Sequence, residues 1–303
     1  MPEKRILCVG LMCVDLIQVC KDYPIEDSDQ RSIDHRWQRG GNASNNCTVI
    51  SKFGKTCEYF GTMCDDMLGR YALQDFESHK IITKNVVKYK NYDCPFSSVV
   101  INAKNGSRTI LHSNKNLPEL TLEDFKKLNL EQYDWIHFEG RNVKQVVLML
   151  KYITDWNSTH SPIITSVELE KAKEEIKELL PLADVVFIGK DFGSFQGCKN
   201  MHEALARNVP FVKPKAAVVV AWGEAGAVGR TAGGEVVKSA ALPPPAVVDT
   251  LGAGDTFLAA TVVCLSQGCD LQQSITAGCR VAGAKVGSVG FTALHPGLLQ
   301  MPS

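Results

Sequence analysis

The chain has 303 residues, enough for about two average domains or for one large α/β domain. Its 33 Lys and Arg residues balance its 33 Asp and Glu residues, which excludes a generic binder of nucleic acids or anionic membranes, because such binders need a net cationic face. A hydrophobic content of 45% and a charged content of 22% are typical of a globular protein and argue against disorder.

The cysteines and the N-terminus both favour a cytoplasmic protein. The 11 cysteines lie mostly in apolar runs and form no C-x-x-C pair, which predicts reduced, buried thiols rather than a zinc site. Lys4 and Arg5 precede an apolar run, but Asp15 follows it without a small-residue cleavage site, so a buried strand is expected rather than a signal peptide. No uncharged run reaches the ~18 residues of a transmembrane helix.

In chain order, the first elements alternate between strand and helix. An apolar, β-branched run covers residues 5–13, and residues 31–38 alternate polar and apolar side chains as a half-exposed strand does. Residues 40–54 begin with glycines and an asparagine, continue apolar at helical spacing and end on a glycine, which predicts a helix. Residues 57–63 and 67–80 are the next expected strand and helix.

A hairpin is expected in the following segment. The strand-like residues 96–103 and 108–112 flank an Asn105–Gly106 pair, and Asn-Gly favours a tight turn because both turn positions need a positive φ. Polar side chains occupy alternate positions here and in residues 31–38. These strands therefore predict a small antiparallel sheet that covers one side of the molecule.

The rest of the chain alternates regularly. Apolar strands are expected at 135–140, 163–169, 184–189 and 216–223, and helices at 143–156, 172–180, 202–207, 254–267 and 271–285. Such alternation, with near-continuous apolar strands, predicts a mostly parallel sheet covered on both faces. The residues from Thr292 onward are expected to form a loose tail.

The most informative segment is VVDTLGAGDTF, residues 247–257. A strand end enters a glycine turn that opens a helix, so Gly252 to Asp255 present backbone N–H groups at the positive end of a helix dipole. An acid in such an anion hole makes sense if Asp255 takes the proton of a hydroxyl that attacks a bound phosphoryl group. The alternative is a simple glycine turn whose aspartate favours the helix dipole.

A second polar cluster lies at residues 40–45. Its two glycines allow a close approach, and Asn42 and Asn45 are three residues apart at a helix start, so both amides can face one hydroxyl-rich ligand. The alternative, a helix cap, explains one asparagine but not the pair. Asp15 adds an acceptor at the carboxyl edge of the sheet, where open α/β sheets bind ligands.

Two other positions have two interpretations each. His137 and Glu139 point the same way on a strand, which fits a metal site or, more simply, a structural role. Trp222 precedes Gly223 to Gly226 at a strand-to-turn edge, where a base could stack or where an ordinary hairpin could turn.

Two of these motifs together resemble the signatures of the ribokinase-like (phosphofructokinase-B) sugar kinases: GGNASNN early in the chain and DTLGAGDTF late. The stretches RWQRGGNASN, NGSRTIL, WIHFEGRN, SVELEK and PPPAVVDTLGAGDTF are similar to the fructokinases of that family. The resemblance extends to about Phe291.

This resemblance implies a single kinase domain over residues 1–303, folded as a ribokinase-like three-layer α/β/α sandwich with a mostly parallel central sheet. A small antiparallel β lid is expected, with strands from about 14–38 and 95–113. The implied reaction is ATP-dependent phosphorylation of fructose at its C1 hydroxyl, giving fructose 1-phosphate. The alternatives are another ribokinase-like sugar or nucleoside kinase and a non-catalytic sugar-binding relative.

The resemblance also implies roles for individual residues. Asp255 matches the general base, and the backbone of Gly252, Ala253 and Gly254 matches the hole for the transferred phosphoryl group. The implied sugar-binding residues are Asp15, Asp27, Gly41, Asn42, Asn45 and Asp255. The implied ATP-binding residues are Arg108, Lys190, Gly223, Glu224, Ala225, Gly226, Gly252, Ala253, Gly254, Phe257, Cys279 and Ala282.

ATP, Mg²⁺ and K⁺ are the implied cofactors, and the monovalent cation is expected near Asp249 and the backbone at Gly287. The family's Asn-x-x-Glu motif, tied to magnesium and phosphate, is absent; the matching stretch is IGKDFG, so Lys190 and Asp191 are the expected substitutes.

The expected partners are fructose, ATP and a second copy of the chain, with no nucleic acid and no membrane. A lone lid would expose apolar side chains, among them Ile33, Trp37, Val99 and Ile101, and pairing with a second lid would cover them. The resemblance implies such a homodimer, in which Asp27 reaches the partner's site.

Overall fold

The computed structural model describes residues 4–104 and 106–300. Its strands are β1 (Arg5–Val9), β2 (Cys13–Cys20), β3 (Asp34–Gly40), β4 (Cys57–Phe60), β5 (Thr62–Cys64), β6 (Val87–Tyr89), β7 (Phe96–Asn102), β8 (Arg108–Ser113), β9 (Tyr133–Glu139), β10 (Ile164–Leu169), β11 (Val185–Ile188), β12 (Ala217–Ala221), β13 (Ala227–Arg230) and β14 (Val236–Ser239). Its α-helices are α1 (Asn42–Lys52), α2 (Met67–Ser78), α3 (Leu122–Phe125), α4 (Val143–Asn157), α5 (Lys190–Phe195), α6 (Met201–Asn208), α7 (Ala253–Ser266) and α8 (Leu271–Val286).

A large sheet forms the centre of the molecule, in the order β14-β13-β12-β11-β10-β9-β1-β4. The strands from β12 to β4 pair in parallel, whereas β13 and β14 add an antiparallel edge. Parallel strands covered on both faces need apolar side chains in both directions, and the buried runs of β11 and β12 provide them.

Helices cover both faces of this sheet. Successive side chains of a strand point to opposite faces, so Leu7 and Val9 join the core with α3 to α6, while Ile6 and Cys8 join the core with α1, α2, α7 and α8. The predicted three-layer α/β/α sandwich is confirmed.

Several local predictions differ from the structure. Residues 172–180, expected as an α-helix, contain a 3₁₀ helix over Glu174–Leu179. Helices α3 and α5 were not expected, because they span only 4 and 6 residues and are too short to show a helical period in the sequence.

The expected loose tail is wrong for the residues that the structure describes. Pro296–Leu299 form a 3₁₀ helix, and Leu298 and Leu299 pack against the core. The Arg280 guanidinium on α8 donates to the carbonyls of Leu298 and Gln300, at 3.3 and 2.6 Å. Apolar burial and these two bonds hold the segment on α8.

The lid is a separate sheet in the order β3-β2-β7-β8. Its outer pairs are antiparallel as predicted, but the central pair β2–β7 is parallel, so the sheet is mixed. Both central strands leave the body in the same direction, and the Val14 N–H donates to the Pro95 carbonyl at 2.9 Å where they begin. The predicted turn involves Asn105, which lies outside the described residues.

The two faces of the lid differ in burial. Ile17, Val99 and Ile101 pack against Leu251 on the side that faces the body, so the expectation that Val99 and Ile101 are exposed is wrong. Ile33 and Trp37 are exposed as predicted, at 64% and 45%.

Among the helices of the described residues, none combines the length and the apolar character that a bilayer crossing requires.

Candidate active site

Polar side chains converge where the first turns of α1 and α7 meet the carboxyl ends of β9 and β10. The Asn45 side-chain amide of α1 donates to the Asp255 carboxylate of α7 at 2.7 Å, and the Asn46 amide donates to the Asp255 carbonyl at 3.0 Å. These bonds link two distant signatures, 210 residues apart in the chain.

The electrostatic environment of Asp255 suits a base that works near neutral pH. Burial raises the pKa of its carboxyl to about 7, and the neighbouring Glu170 carboxylate adds to the rise. The Asn45 amide opposes it, because its hydrogen bond favours the charged form.

The turn before α7 presents backbone donors. Gly252 has a φ of 76°, a left-handed conformation that favours glycine, and helical bonding begins with the Thr256 N–H donating to the Gly252 carbonyl at 2.9 Å. The N–H groups of Gly254 and Asp255 therefore belong to the first turn, which has no intrahelical acceptors. A Cβ on Gly254 would meet no atom within 4 Å, so this backbone is open to a ligand.

The α1 side of the site also depends on a glycine. Gly41 has a φ of 94°, and a Cβ there would lie 2.3 Å from the Leu11 carbonyl oxygen. The Asn42 amide that follows donates to Glu168 at 3.0 Å and to Glu170 at 2.8 Å. Asn42 and Asn45 thus face one region, as their spacing predicted, but each is already held by a carboxylate.

Glu168 and Glu170 are site residues that our sequence analysis did not single out. Burial, aided by the nearby Glu170, raises the pKa of Glu168 well above its usual value. Burial also disfavours ionisation of Glu170, but the Lys171 ammonium, 2.7 Å away, outweighs it and lowers the pKa. Their position at the carboxyl end of the apolar strand β10, with Glu168 near its last residue and Glu170 just after it, is a signal that could have identified them.

Asp15 lies on β2, at the base of the lid. Its carboxylate is buried, and burial raises its pKa against the opposing hydrogen bonds from Ser97 and Cys13. A Cβ on Gly40 would lie 2.1 Å from Asp15 Oδ2, so the adjacent strand approaches this carboxylate closely.

His137 and Glu139 have structural partners. His137 is buried, its Nδ1 lies 2.9 Å from the Ser166 hydroxyl, and burial lowers its pKa to about 3. The Glu139 carboxylate accepts the Leu11 N–H at 2.7 Å. In the described residues, no group of three or more His, Cys, Asp and Glu side chains forms a metal site.

A cleft of about 550 Å³, open to solvent, extends from Glu168 and Glu170 along the edge of the sheet. Most of the predicted nucleotide-binding residues line it, namely Arg108, Lys190, Gly223, Glu224, Gly226, Ala253, Gly254, Phe257, Cys279 and Ala282. Ala225 and Gly252 are not part of its lining. Lys190 lies 3.0 Å from Glu224 at the rim, and Asp191 is beside it.

Trp222 does not face this cleft. Its ring is buried in the core on the opposite face, where a Cβ on Gly193 would lie 2.6 Å from it. The apolar walls of the cleft come instead from side chains such as Phe187, Val219 and Phe257.

The structure does not fit the expected potassium site at Asp249. The buried Lys285 ammonium lies 2.8 Å from the Asp249 carbonyl and 3.1 Å from its Oδ2. The Arg36 guanidinium also contacts Oδ2, at 3.0 Å. Two protein cations therefore take the oxygen atoms that a metal cation would need. Asp249 precedes the turn that presents the N–H donors.

Two lid arginines reach this same turn. Arg36 of β3 binds Asp249, and the Arg108 guanidinium of β8 donates to the Thr250 hydroxyl at 3.1 Å. The lid is therefore bonded directly to the segment that opens α7. Asp27, by contrast, lies in the exposed loop between β2 and β3, with a φ of 53°.

Comparisons with known proteins agree with this geometry. A family model described as pfkB family carbohydrate kinase matches residues 3–296. The chain belongs to the pfkB family. Within it, the chain is 42% identical to mouse ketohexokinase over 294 residues, which cover 96% of this chain and 99% of that one.

Solved ribokinase structures resemble this structure over nearly its whole length. A ribokinase from Giardia lamblia matches with a TM-score of 0.85 and 16% identity, covering 98% of both chains. An Arabidopsis thaliana ribokinase complexed with ribose and ATP matches with a TM-score of 0.81 and 17% identity, covering 99% of both chains. At these identities the likeness concerns the fold.

Proposed function

We propose that this protein is a ketohexokinase, which transfers the γ-phosphoryl group of ATP to the C1 hydroxyl of fructose. The observation that carries the proposal is the buried Asp255 carboxylate at the start of α7, directly beside the open backbone of Gly254. The 42% identity to mouse ketohexokinase supports fructose as the substrate.

Asp255 acts as the general base. With a pKa of about 7 its carboxylate is basic enough to accept the proton of the attacking hydroxyl and is still largely ionised slightly above neutral pH. The open backbone N–H groups at the start of α7, those of Gly254 and Asp255, and the dipole of α7 stabilise the negative charge on the transferred group.

The sugar binds between the lid and α1. Asp15, Gly41, Asn42 and Asn45 surround this region and offer carboxylate and amide groups to sugar hydroxyls. A bound sugar would compete with Glu168 and Glu170 for the Asn42 amide, so its binding rearranges an existing hydrogen-bond network.

ATP occupies the cleft beside α7. Its base lies between the apolar walls near Phe257, Cys279 and Ala282, and its phosphates approach Arg108 and Lys190. Gly223 to Gly226 form the neighbouring rim, although Ala225 and Gly252 do not themselves line the cleft.

Mg²⁺ fits the phosphate end of this cleft. Magnesium is usually held by one or two carboxylates together with substrate phosphates, and Glu170 and Asp191 line the cleft there. When bound, it neutralises charge on the phosphates during transfer. We assign no step to potassium, because Lys285 occupies the expected position.

The proposal includes a homodimer in the cytoplasm, with residues 1–303 as one kinase domain. The family match over residues 3–296 supports the single domain, and the eleven free cysteines, nine of them buried, suit a reducing compartment. The outer face of the lid, which carries Leu16, Trp37, Phe96, Val100 and Leu111, would form the interface, and Asp27 would reach the partner's site.

Product identification tests the proposed reaction. The protein is incubated with ATP, Mg²⁺ and fructose, ribose or adenosine in turn, and the phosphorylated position is determined by phosphorus and carbon NMR. We expect fructose 1-phosphate and the highest kcat/KM for fructose. Faster turnover of ribose or adenosine contradicts the substrate assignment. Sugar binding without any product would instead favour a non-catalytic relative. The Asp255→Asn variant, purified in parallel, controls for contaminating kinases.

A further inference from the structure

The Asp249 carboxylate and carbonyl are saturated by donors from four parts of the chain. Oδ1 accepts the Leu251 N–H at 2.9 Å, and Oδ2 accepts the Gly290 N–H at 2.9 Å. Lys285 and Arg36 complete the set, at 3.1 and 3.0 Å from Oδ2. A monovalent metal ion is held by oxygen atoms that replace its water shell, but here the surrounding groups are N–H donors and cations.

The Lys285 side chain places a positive charge inside the protein. It belongs to the last turn of α8 and has an exposure of 0%. Its ammonium donates to the Asp249 carbonyl and carboxylate and lies 5.9 Å from the centre of the Phe291 ring. Burial of a lysine in this way is stable only when its charge is paired, and the Asp249 side chain supplies that pair.

We propose that the Lys285 ammonium is a built-in substitute for an activating monovalent cation, so that this enzyme works without potassium. One carboxylate and two protein cations already give the site a net positive charge, which repels a further cation. Removing only the Lys285 ammonium leaves a space that lacks one positive charge. A metal ion or an ammonium ion can fill this space and restore that charge.

The Lys285 ammonium affects catalysis by positioning the turn before α7 and does not contact the substrate. Asp249 precedes the turn in which the Ala253 N–H donates to the Thr250 carbonyl at 3.3 Å. Phe291, beside the ammonium, also packs on this turn, since a Cβ on Gly252 would lie 3.2 Å from its ring. Lys285 is therefore a positioning residue for the N–H donors at the start of α7.

The test compares four proteins: wild type, Lys285→Ala, Lys285→Met and Lys151→Ala. The alanine variant opens the space, the methionine variant fills it without charge, and Lys151, exposed on α4, is the matched control. Tm and kcat are measured in potassium, ammonium, sodium and tetramethylammonium chlorides at a fixed ionic strength of ~0.15 M. The Tm series needs no substrate, so its result stands even if fructose is not phosphorylated.

We expect wild type and Lys151→Ala to have the same Tm and kcat in all four salts. Lys285→Ala should have a lower Tm in tetramethylammonium, with kcat reduced about tenfold to a hundredfold, and potassium or ammonium should restore both. Lys285→Met should show no ion-specific recovery.

Two results would overturn the proposal. One is a potassium-specific rise in the Tm or kcat of the wild-type protein, which needs no variant to fold. The other is a Lys285→Ala variant with wild-type Tm and kcat in every salt, which would mean that the ammonium positions nothing.

Discussion

Arg36 and Lys285 contact the same oxygen atom, Oδ2 of Asp249, from a lid strand and from the last turn of α8. The segment that opens α7 is therefore held by the lid on one side and by the body of the molecule on the other. Because Arg108 also bonds Thr250, a displacement of the lid changes the support of the phosphoryl-binding turn.

Replacing Asp255 by asparagine tests its role as a base. Asparagine keeps the shape and the hydrogen-bonding reach but accepts no proton, so kcat should fall by ~10²–10⁴. Calorimetry should still detect ATP and fructose binding, with ATP bound as tightly or more tightly because a negative charge is lost. Asp155→Asn, on the exposed side of α4, should keep wild-type kcat. An Asp255→Asn variant with more than about a tenth of the wild-type kcat places the base elsewhere.

The pH dependence of kcat/KM should reflect the raised pKa of Asp255. Since the base must be ionised, activity should rise with pH through a limb at about 7. Asn45→Ala removes the hydrogen bond that favours the carboxylate, so its limb should move to higher pH. Initial rates measured from pH 5 to 9 in buffers of constant ionic strength provide the profile. A limb near pH 4, or one unmoved in Asn45→Ala, contradicts this assignment.

The same carboxyl lowers the stability of the protein at alkaline pH. Its folded pKa of about 7 exceeds the ordinary value of 3.8, so the folded state binds the proton more tightly and loses stability as pH rises between these values. Asp255→Asn should therefore have a higher Tm than wild type at pH 8, by ~2 °C or more. The difference should shrink towards pH 5. Scanning calorimetry at both pH values measures this difference in Tm. An equal difference at pH 5 and pH 8 would show that it does not come from ionisation of Asp255.

Arg108 should contribute to nucleotide binding. It lines the cleft and is exposed, so its replacement by glutamine should leave the fold intact. Losing a charge-assisted contact with phosphate should raise KM for ATP about tenfold, with little change in KM for fructose. Steady-state kinetics with each substrate varied in turn measure both values. Arg207→Gln, on α6 away from the cleft, is the control, and an equal change in both KM values would argue against a phosphate contact.

The outer face of the lid should control assembly. Leu111 is 66% exposed there, and a charge at the centre of an apolar interface is costly to bury. Leu111→Lys should shift the sedimentation coefficient from dimer to monomer, whereas Phe211→Lys, at an equally exposed position outside the lid, should not. A wild-type protein that sediments as a fully active monomer at assay concentration excludes the dimer.

The sequence identified the parts of the site that have local signatures. Gly41, Gly252 and Asp255 are recognisable because a positive φ or a helix start requires particular residues at particular spacings. Lys285 could not be identified in this way, since a lysine in the last turn of a helix is typical of a solvated end. Its partner lies 36 residues earlier in the chain, and only the packing of α8 brings them together.

In the lid, too, the sequence predicted some features and missed others. Alternation in residues 96–103 and 108–112 predicted two paired strands, but alternation does not specify which neighbour a strand finds, and the parallel β2–β7 pair was missed. The burial of Val99 and Ile101 depends on Leu251, more than a hundred residues away, so alternation alone could not show that these two side chains face the body.

The contacts of Arg280 with Leu298 and Gln300 have a practical consequence for protein engineering. They hold the segment around Pro296–Leu299 against α8, so this segment is not a free C-terminal extension. A fusion partner joined after Gln300 leaves these contacts in place. A fusion partner that replaces residues 296–300 removes these contacts and exposes the side of α8 that carries Arg280, close to Lys285 in the last turn of the same helix.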